Sequence, residues 1–259
     1  NPLGIRGGPY KLLAEGLAAR GVATVRIDKR GLYGSARAVP DANAVTIGDY
    51  ASDVRSWIGV VQREASAPCV WVAGHSEGGL VALAAARNPD GLCGLILIAS
   101  PGRRLGDVLR EQAKLNFADT PLLPQALATI SSLESGRRVD ASTLHPALMP
   151  LFAPKVQGFL ISMLSLDPAK LIADFAKPVL ILQGNRDLQV STRDAEQLKR
   201  SAGAGAKLVV LPNTNHVLKT VTSADIGANR AAYVNARMPL APGVVENIAN
   251  FVQAPQSSN

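Results

Sequence analysis

The sequence predicts an α/β fold: a mostly parallel central sheet with helices on both faces, interrupted by a helical insertion. Three observations carry this. Apolar runs of strand length (VATVRID, CVWVA, LILIA, PVLILQG and KLVVLP) are separated by segments with helical spacing. The runs are apolar throughout rather than alternating, as strands covered on both faces are. Between residues 101 and 176 the rhythm stops, and helical stretches follow one another without a convincing strand.

Residues 10–20 (YKLLAEGLAAR) place Leu12, Leu13, Leu17 and Ala18 at helical spacing, and Gly21 ends that helix ahead of VATVRID, read as a buried strand. Thr46 with Asp49 gives an N-cap signal, after which Tyr50, Val54, Trp57, Ile58 and Val61 fall on one face of a long helix. The strand CVWVA runs into GHSEGG and the small-residue helix LVALAAAR, followed by the strand LILIA. The insertion, residues 101–176, holds LGDVLREQAKL, LPQALATISSLES, KVQGFLISMLSL and PAKLIADFA, and reads as a helical lid. The core then comprises residues 1–100 and 177–259. It resumes with PVLILQG, the helix STRDAEQLKRSA, the strand KLVVLP and a closing helix GVVENIANFV before the polar tail QAPQSSN. The chain opens with Asn1-Pro2-Leu3-Gly4 and reaches a helix at about Pro9 with no strand before it. A sheet of this kind starts earlier, so N-terminal strands are expected either to be missing from this chain or to be trimmed from the fold.

At 259 residues and 47% hydrophobic content the chain can bury one sizeable core. No apolar run approaches the ~18 residues that cross a bilayer, and no basic-then-apolar leader is seen, so no membrane span is expected. The net charge of +7 is scattered in short pairs such as Lys29-Arg30, Arg103-Arg104 and Arg137-Arg138. Without a basic stripe or an aromatic-interleaved patch, nucleic acid is not an expected partner. Two cysteines exclude a Cys-rich zinc site and a disulfide-framework miniprotein. Cys69 and Cys93 each sit just before a strand, so they become neighbours if those strands pair; two buried free thiols are the plainer reading. Oligomeric state leaves no readable signal.

Gly74-His75-Ser76-Glu77-Gly78 matches the G-x-S-x-G nucleophile elbow, with a strand before and a small-residue helix after. Such a turn strains the serine backbone, and Gly74 and Gly78 are expected where a Cβ would collide with neighbouring chain. The backbone N–H of Glu77, at the helix start, can stabilise a developing oxyanion. Serine needs a general base, and the chain has three histidines. His75 adjoins Ser76 and cannot easily fold back on it, and His145 lies in the lid beside Pro146. That leaves His216, in the loop after KLVVLP, where active-site residues collect in parallel sheets. The base needs an orienting carboxylate, and the order Ser, Asp, His points to Asp187, in the turn Gly184-Asn185-Arg186-Asp187 after PVLILQG. The competitor Asp194 lies in the next helix and reads as helix-start charge or solvated surface.

GHSEGG after a strand, GNRDLQV, and NTNHVLK followed by AAYVNARMPLAPGVVENIANFV resemble the bacterial α/β-hydrolases, in particular serine aminopeptidase-like and dienelactone hydrolase-like esterases. The likeness runs from Pro9 to Val252. PYKLLAEGLAARGVATVRIDKRG resembles that family's helix, strand and following loop, with Asp28-Lys29-Arg30-Gly31 in the motif. In two respects the chain departs from the pattern. The family's first strands and the loop giving the second oxyanion donor lie upstream of Asn1, and Leu32-Tyr33-Gly34-Ser35 stands where relatives often carry glycine.

The triad and the resemblance together imply a serine hydrolase acting on a small-molecule acyl ester through an acyl-enzyme on Ser76, with no metal and no organic cofactor. Leu151, Phe152, Phe159, Leu160, Met163 and Leu164 of the lid either line an apolar acyl pocket or pack the lid itself. An amidase or peptidase using the same triad and a non-catalytic receptor with a lidded cavity are the alternatives, and perhydrolase or C–C hydrolase activity stays open on the same fold. The resemblance includes many exported proteins, so an exported location is expected over a cytoplasmic one, and a Cys69–Cys93 bridge would support it.

Overall fold

Four parallel strands lie side by side in chain order: β1 (Val70–His75), β2 (Leu92–Ile98), β3 (Val179–Gly184) and β4 (Ala206–Leu211). The computed structural model describes residues 7–41, 43–223 and 225–255. The opening Asn1-Pro2-Leu3-Gly4 and tail residues 256–259 lie outside these. Ahead of the sheet come α1 (Pro9–Ala18) and α2 (Ile47–Ala65); α3 (Glu77–Ala85) joins β1 to β2 and α9 (Thr192–Ala202) joins β3 to β4. Between β2 and β3 stand α4 (Leu105–Phe117), α5 (Leu122–Glu134), α6 (Met149–Phe152), α7 (Pro154–Leu164) and α8 (Pro168–Ala173), with no strand among them. The chain closes with α10 (Ile226–Val234) and α11 (Val244–Gln253).

Period-two alternation sends β-strand side chains to two separate cores. Leu95, Leu97, Val179 and Ile181 meet Ile58 of α2, Leu83 of α3 and Leu198 of α9 on one face. Ile96, Ile98, Leu180 and Leu182 meet Leu17 of α1 and Val244 and Ile248 of α11 on the other. Each fully buried leucine or isoleucine here contributes about 1.5–3 kcal/mol by leaving water, which explains why these runs carry no polar alternation. The start of α2 is set by a capping box in which Thr46 Oγ1 accepts from Asp49 N at 3.2 Å and Asp49 Oδ2 accepts from Thr46 N at 2.8 Å.

The helices between β2 and β3 have a core of their own, in which Phe152 and Leu164 pack with Ile130, Leu133 and Leu148. Met163, with Phe159 and Leu160 against it, seats this layer on Tyr50, Leu80 and Val81 of α2 and α3, while Leu151 is 51% exposed. The apolar residues of α7 are thus occupied in packing. No single helix among the described residues is long and apolar enough to cross a membrane.

Two sequence expectations are corrected by this architecture. VATVRID is not a buried strand: residues 22–29 are irregular, with Val25 59% and Ile27 36% exposed. A strand needs a neighbouring backbone for its N–H and C=O groups, and among the described residues β1 pairs with β2 alone. Cys69 and Cys93 are not free thiols but a disulfide with Cα atoms 5.0 Å apart. Parallel pairing sets Val70 opposite Leu92, and this brings both cysteines together at the strand starts.

Candidate active site

The site is assembled at the C-terminal end of the sheet from three connections. The first follows β1, where Ser76 turns the chain from strand to helix with φ 55° and ψ −124°, a left-handed conformation that L-residues rarely adopt. The turn is held by Ser76 N donating to Ile98 O at 2.8 Å and by Gly79 N donating to Ser76 O at 2.9 Å. A Cβ on Gly74 would stand 2.2 Å from the Gly78 carbonyl oxygen, so the strand and the helix start touch backbone to backbone. The reason expected for Gly78 does not hold, since a Cβ there meets nothing within 4 Å. The second glycine that packing demands is Gly79, whose Cβ would lie 1.9 Å from Ser100 Oγ. Glu77 opens α3, so its N–H has no acceptor within the helix.

The second connection follows β3. The side chain of Asp187 is fully buried; its Oδ1 accepts from Gln189 N at 2.7 Å and Val190 N at 3.0 Å, and its Oδ2 accepts from Gln183 Nε2 at 3.2 Å. The third follows β4, where residues 214–219 are all buried and fold back on themselves, closed by Asn215 N to Lys219 O at 3.0 Å and a Thr214–Thr220 bridge. From this loop His216 Nδ1 donates to Asp187 Oδ2 at 2.8 Å. That bond fixes the tautomer of a neutral imidazole with Nε2 bare.

His216 and Asp187 are therefore brought together, and the elbow stands against them: the ring of His75, next to Ser76, lies 4.8 Å from the ring of His216. Ser76 Oγ makes no hydrogen bond among the described residues, an open geometry common before substrate binds. His145 is remote from this chemistry and caps a short turn in the helical insertion by accepting from Ala147 N at 3.2 Å. Asp194 does start α9, but it is not solvated. It is buried, ion-paired to Arg103 at 2.8 Å, and accepts from the N–H groups of Gly102 and Arg103, so it ties α9 to the segment after β2. Among the described residues no group of three or more His, Cys, Asp or Glu side chains is placed to hold a metal.

A model of the alpha/beta hydrolase family matches residues 5–221. The chain belongs to the alpha/beta hydrolase family. It is similar to Esterase EstD of Thermotoga maritima, with 26% identity over 214 residues covering 81% of this chain and 49% of that protein, so it spans about half the relative's length. Among solved structures it is similar to a lipase-esterase related protein from Clostridium acetobutylicum (TM-score 0.56, 17% identity, 96% of this chain and 90% of that one). It is also similar to Est1E from Butyrivibrio proteoclasticus with ferulic acid bound (TM-score 0.55, 18% identity, 89% and 81%). At such identities the likeness speaks for the fold.

Several neighbours of the site in this alpha/beta hydrolase are not visible in its motifs. Gln183, at the end of β3, donates to Asp187 Oδ2, Gly184 O and Val190 O, which pins the acid's turn to its strand. Asn229 of α10 donates to Arg186 O at 2.8 Å, bracing the same turn from the far side. Lys29 pairs with Glu77 at 2.5 Å and stands 4.7 Å above the Tyr50 ring, placing one positive and one negative group beside the helix start. The Asp28-Lys29-Arg30-Gly31 run was the one sequence signal for Lys29; for Gln183 and Asn229 there was none. A groove of about 410 Å³ between α2, α3 and α7 shares no lining residue with Ser76, Asp187 or His216.

Proposed function

We propose that this chain is a serine hydrolase that cleaves carboxylic esters of small molecules through an acyl-enzyme on Ser76. The observation that carries the reading is the buried Asp187–His216 hydrogen bond beside a strained serine at a strand-to-helix turn. Asp187 holds the proton on Nδ1 of His216, leaving Nε2 free to take the proton of Ser76 as its oxygen attacks the ester carbonyl. The tetrahedral oxyanion is stabilised by the Glu77 N–H, with the N-terminal end of α3 adding positive potential. His216 then gives its proton to the leaving alcohol and afterwards activates the water that frees the acyl group. Similar proteins that carry esterase in their names agree with this chemistry. We further propose that the helices between β2 and β3 form a lid over this end of the sheet.

The test is covalent labelling by a fluorophosphonate together with turnover of p-nitrophenyl esters of increasing acyl length. Labelling and turnover that both vanish in Ser76→Ala are expected. A native protein that neither labels nor turns over any ester would overturn the reading in favour of a binding protein.

A further inference from the structure

Tyr10 and His75 stand beside this chemistry without a part in it. Tyr10, in the first turn of α1, has its hydroxyl 2.8 Å from His75 Nδ1, and His75 Nε2 is 2.7 Å from the carbonyl oxygen of His216. The rings meet edge-on, with centroids 5.6 Å apart for Tyr10 and His75. A carbonyl oxygen can only accept, so His75 Nε2 carries the proton. The neutral imidazole then has a bare Nδ1, and the Tyr10 hydroxyl donates to it. Both bonds thus have one direction.

We propose that Tyr10 and His75 are positioning residues: a donor chain running from phenol to imidazole to main-chain carbonyl that holds the His216 loop against the nucleophile elbow. The proposal rests on the reading of Ser76 as nucleophile and His216 as base. Asp187 fixes the tautomer and tilt of the His216 ring but not the distance of that residue's backbone from Ser76. The carbonyl of His216 is gripped by the residue adjoining Ser76, so this bond links the two connections directly. Spacing matters because a misplacement of about 1 Å can cost ~10²-fold in rate.

The chain also requires an uncharged His75. Burial, then the neighbouring His216, push its pKa down to about 4, against the opposing effects of the carbonyl bond and of Asp187. Around the pair stand Tyr10 from α1, whose own pKa is raised by burial and by Glu77, then Glu77 with its partner Lys29, and His216 with Asp187. A charged His75 would set a second cation 4.8 Å from the imidazolium that His216 becomes during the reaction. A hydroxyl donating to Nδ1 favours the neutral form, so its removal raises the His75 pKa.

The experiment uses the full chain with Tyr10→Phe, His75→Gln and His75→Leu, and with Tyr33→Phe at an exposed tyrosine as control. On a p-nitrophenyl ester, Tyr10→Phe is expected to lower kcat about fivefold, the rate equivalent of one neutral hydrogen bond, with KM nearly unchanged. His75→Leu should lose more, and His75→Gln, which keeps a donor for the carbonyl, should recover most of the loss. Long-range ¹H–¹⁵N spectra should find His75 as the Nε2–H tautomer across roughly pH 5–8 and titrating at higher pH in Tyr10→Phe. A merely structural role would not lower kcat at constant KM, nor would it give the recovery by His75→Gln over His75→Leu. Nδ1–H on His75 in the native protein, or native kcat in both Tyr10→Phe and His75→Leu, would overturn the proposal. If the protein labels at no serine and cleaves no ester, the hydrolase reading fails, whereas the tautomer spectrum decides the hydrogen-bond chain by itself.

Discussion

Replacing Asp187 by asparagine separates orientation of the base from stability of the fold. The side chain keeps its shape, and the amide oxygen takes the place of Oδ1, which accepts from Gln189 N at 2.7 Å and Val190 N at 3.0 Å. Those two donors fix the flip, so the amide NH2 replaces Oδ2, 2.8 Å from His216 Nδ1. Two donors cannot face each other, and His216 must move its proton to Nε2, where it can no longer accept from Ser76. Wrong-tautomer substitutions of this kind cost about 10⁴ in kcat, or about 5 kcal/mol on the barrier. The fold loses the charge-assisted bond to His216 and the 3.2 Å bond from Gln183, about 1–3 kcal/mol in all. The assay is kcat for a p-nitrophenyl ester at neutral pH, with thermal unfolding on the same samples. A variant that keeps kcat within about tenfold of native while remaining folded would refute the argument, because a base that works with either tautomer is not oriented by this carboxylate.

Removing the Cys69–Cys93 bridge, by serine at both positions, frees a loop with a sequence separation of 24 and should cost about 3 kcal/mol, lowering Tm by roughly 6–12 °C in a calorimetric scan. Asp194→Asn breaks a buried pair with Arg103 and should cost about 3–5 kcal/mol in urea unfolding. Burial alone would raise the Asp194 pKa, but the hydrogen bonds and charge of Arg103 outweigh it and hold the carboxyl below its ordinary value. Its contribution is therefore complete above about pH 4 and lost as pH falls through the depressed folded value, so Tm should fall less steeply with acid in the variant than in the native protein. Lys219 is fully buried with the carbonyl of Met238 as acceptor, and burial lowers its pKa. Between that lowered value and the ordinary ~10.4 the unfolded chain holds more protons, so native stability should rise with pH there, and Lys219→Met should abolish the rise in urea titrations at pH 8 and 10.

What the sequence made legible is whatever local pattern encodes. The capping box at Thr46, the elbow at Ser76 and the strands β1 to β4 each follow from residues within a few positions of one another. What it hid depends on distant partners. Residues 22–29 are apolar enough for a strand, yet strandness needs a second backbone, and pattern alone cannot supply one. Cys69 and Cys93 become a bridge through the register of β1 on β2, a fact about pairing rather than composition. Asp194 reads as exposed helix-start charge because its partner, Arg103, is 91 positions away. Tyr10 escaped notice for the same reason, since it meets His75 across 65 positions.

The three groups of the candidate site are held by different physical means, and this decides where the chain tolerates change. Ser76 is held by strain: its left-handed backbone costs of order 1–3 kcal/mol and persists because neighbours leave no alternative. Those neighbours are Ile98 O on its N–H and the tight contacts of Gly74 with Gly78 and of Gly79 with Ser100. Asp187 is held by backbone donors of its own turn, and that turn is braced in addition by Gln183, by Asn229 and by backbone bonds to the segment after β4. His216 is held by a buried loop that is tied outward to Asp187, to Arg186 and Ala241 through their backbone N–H groups, and to the side chain of His75. Few of these supports need to meet a substrate. A substitution at Ser100 or Tyr10 can therefore leave the sheet and its two cores intact while shifting a reacting atom by a fraction of an ångström, and the rate is the more sensitive gauge of such a change.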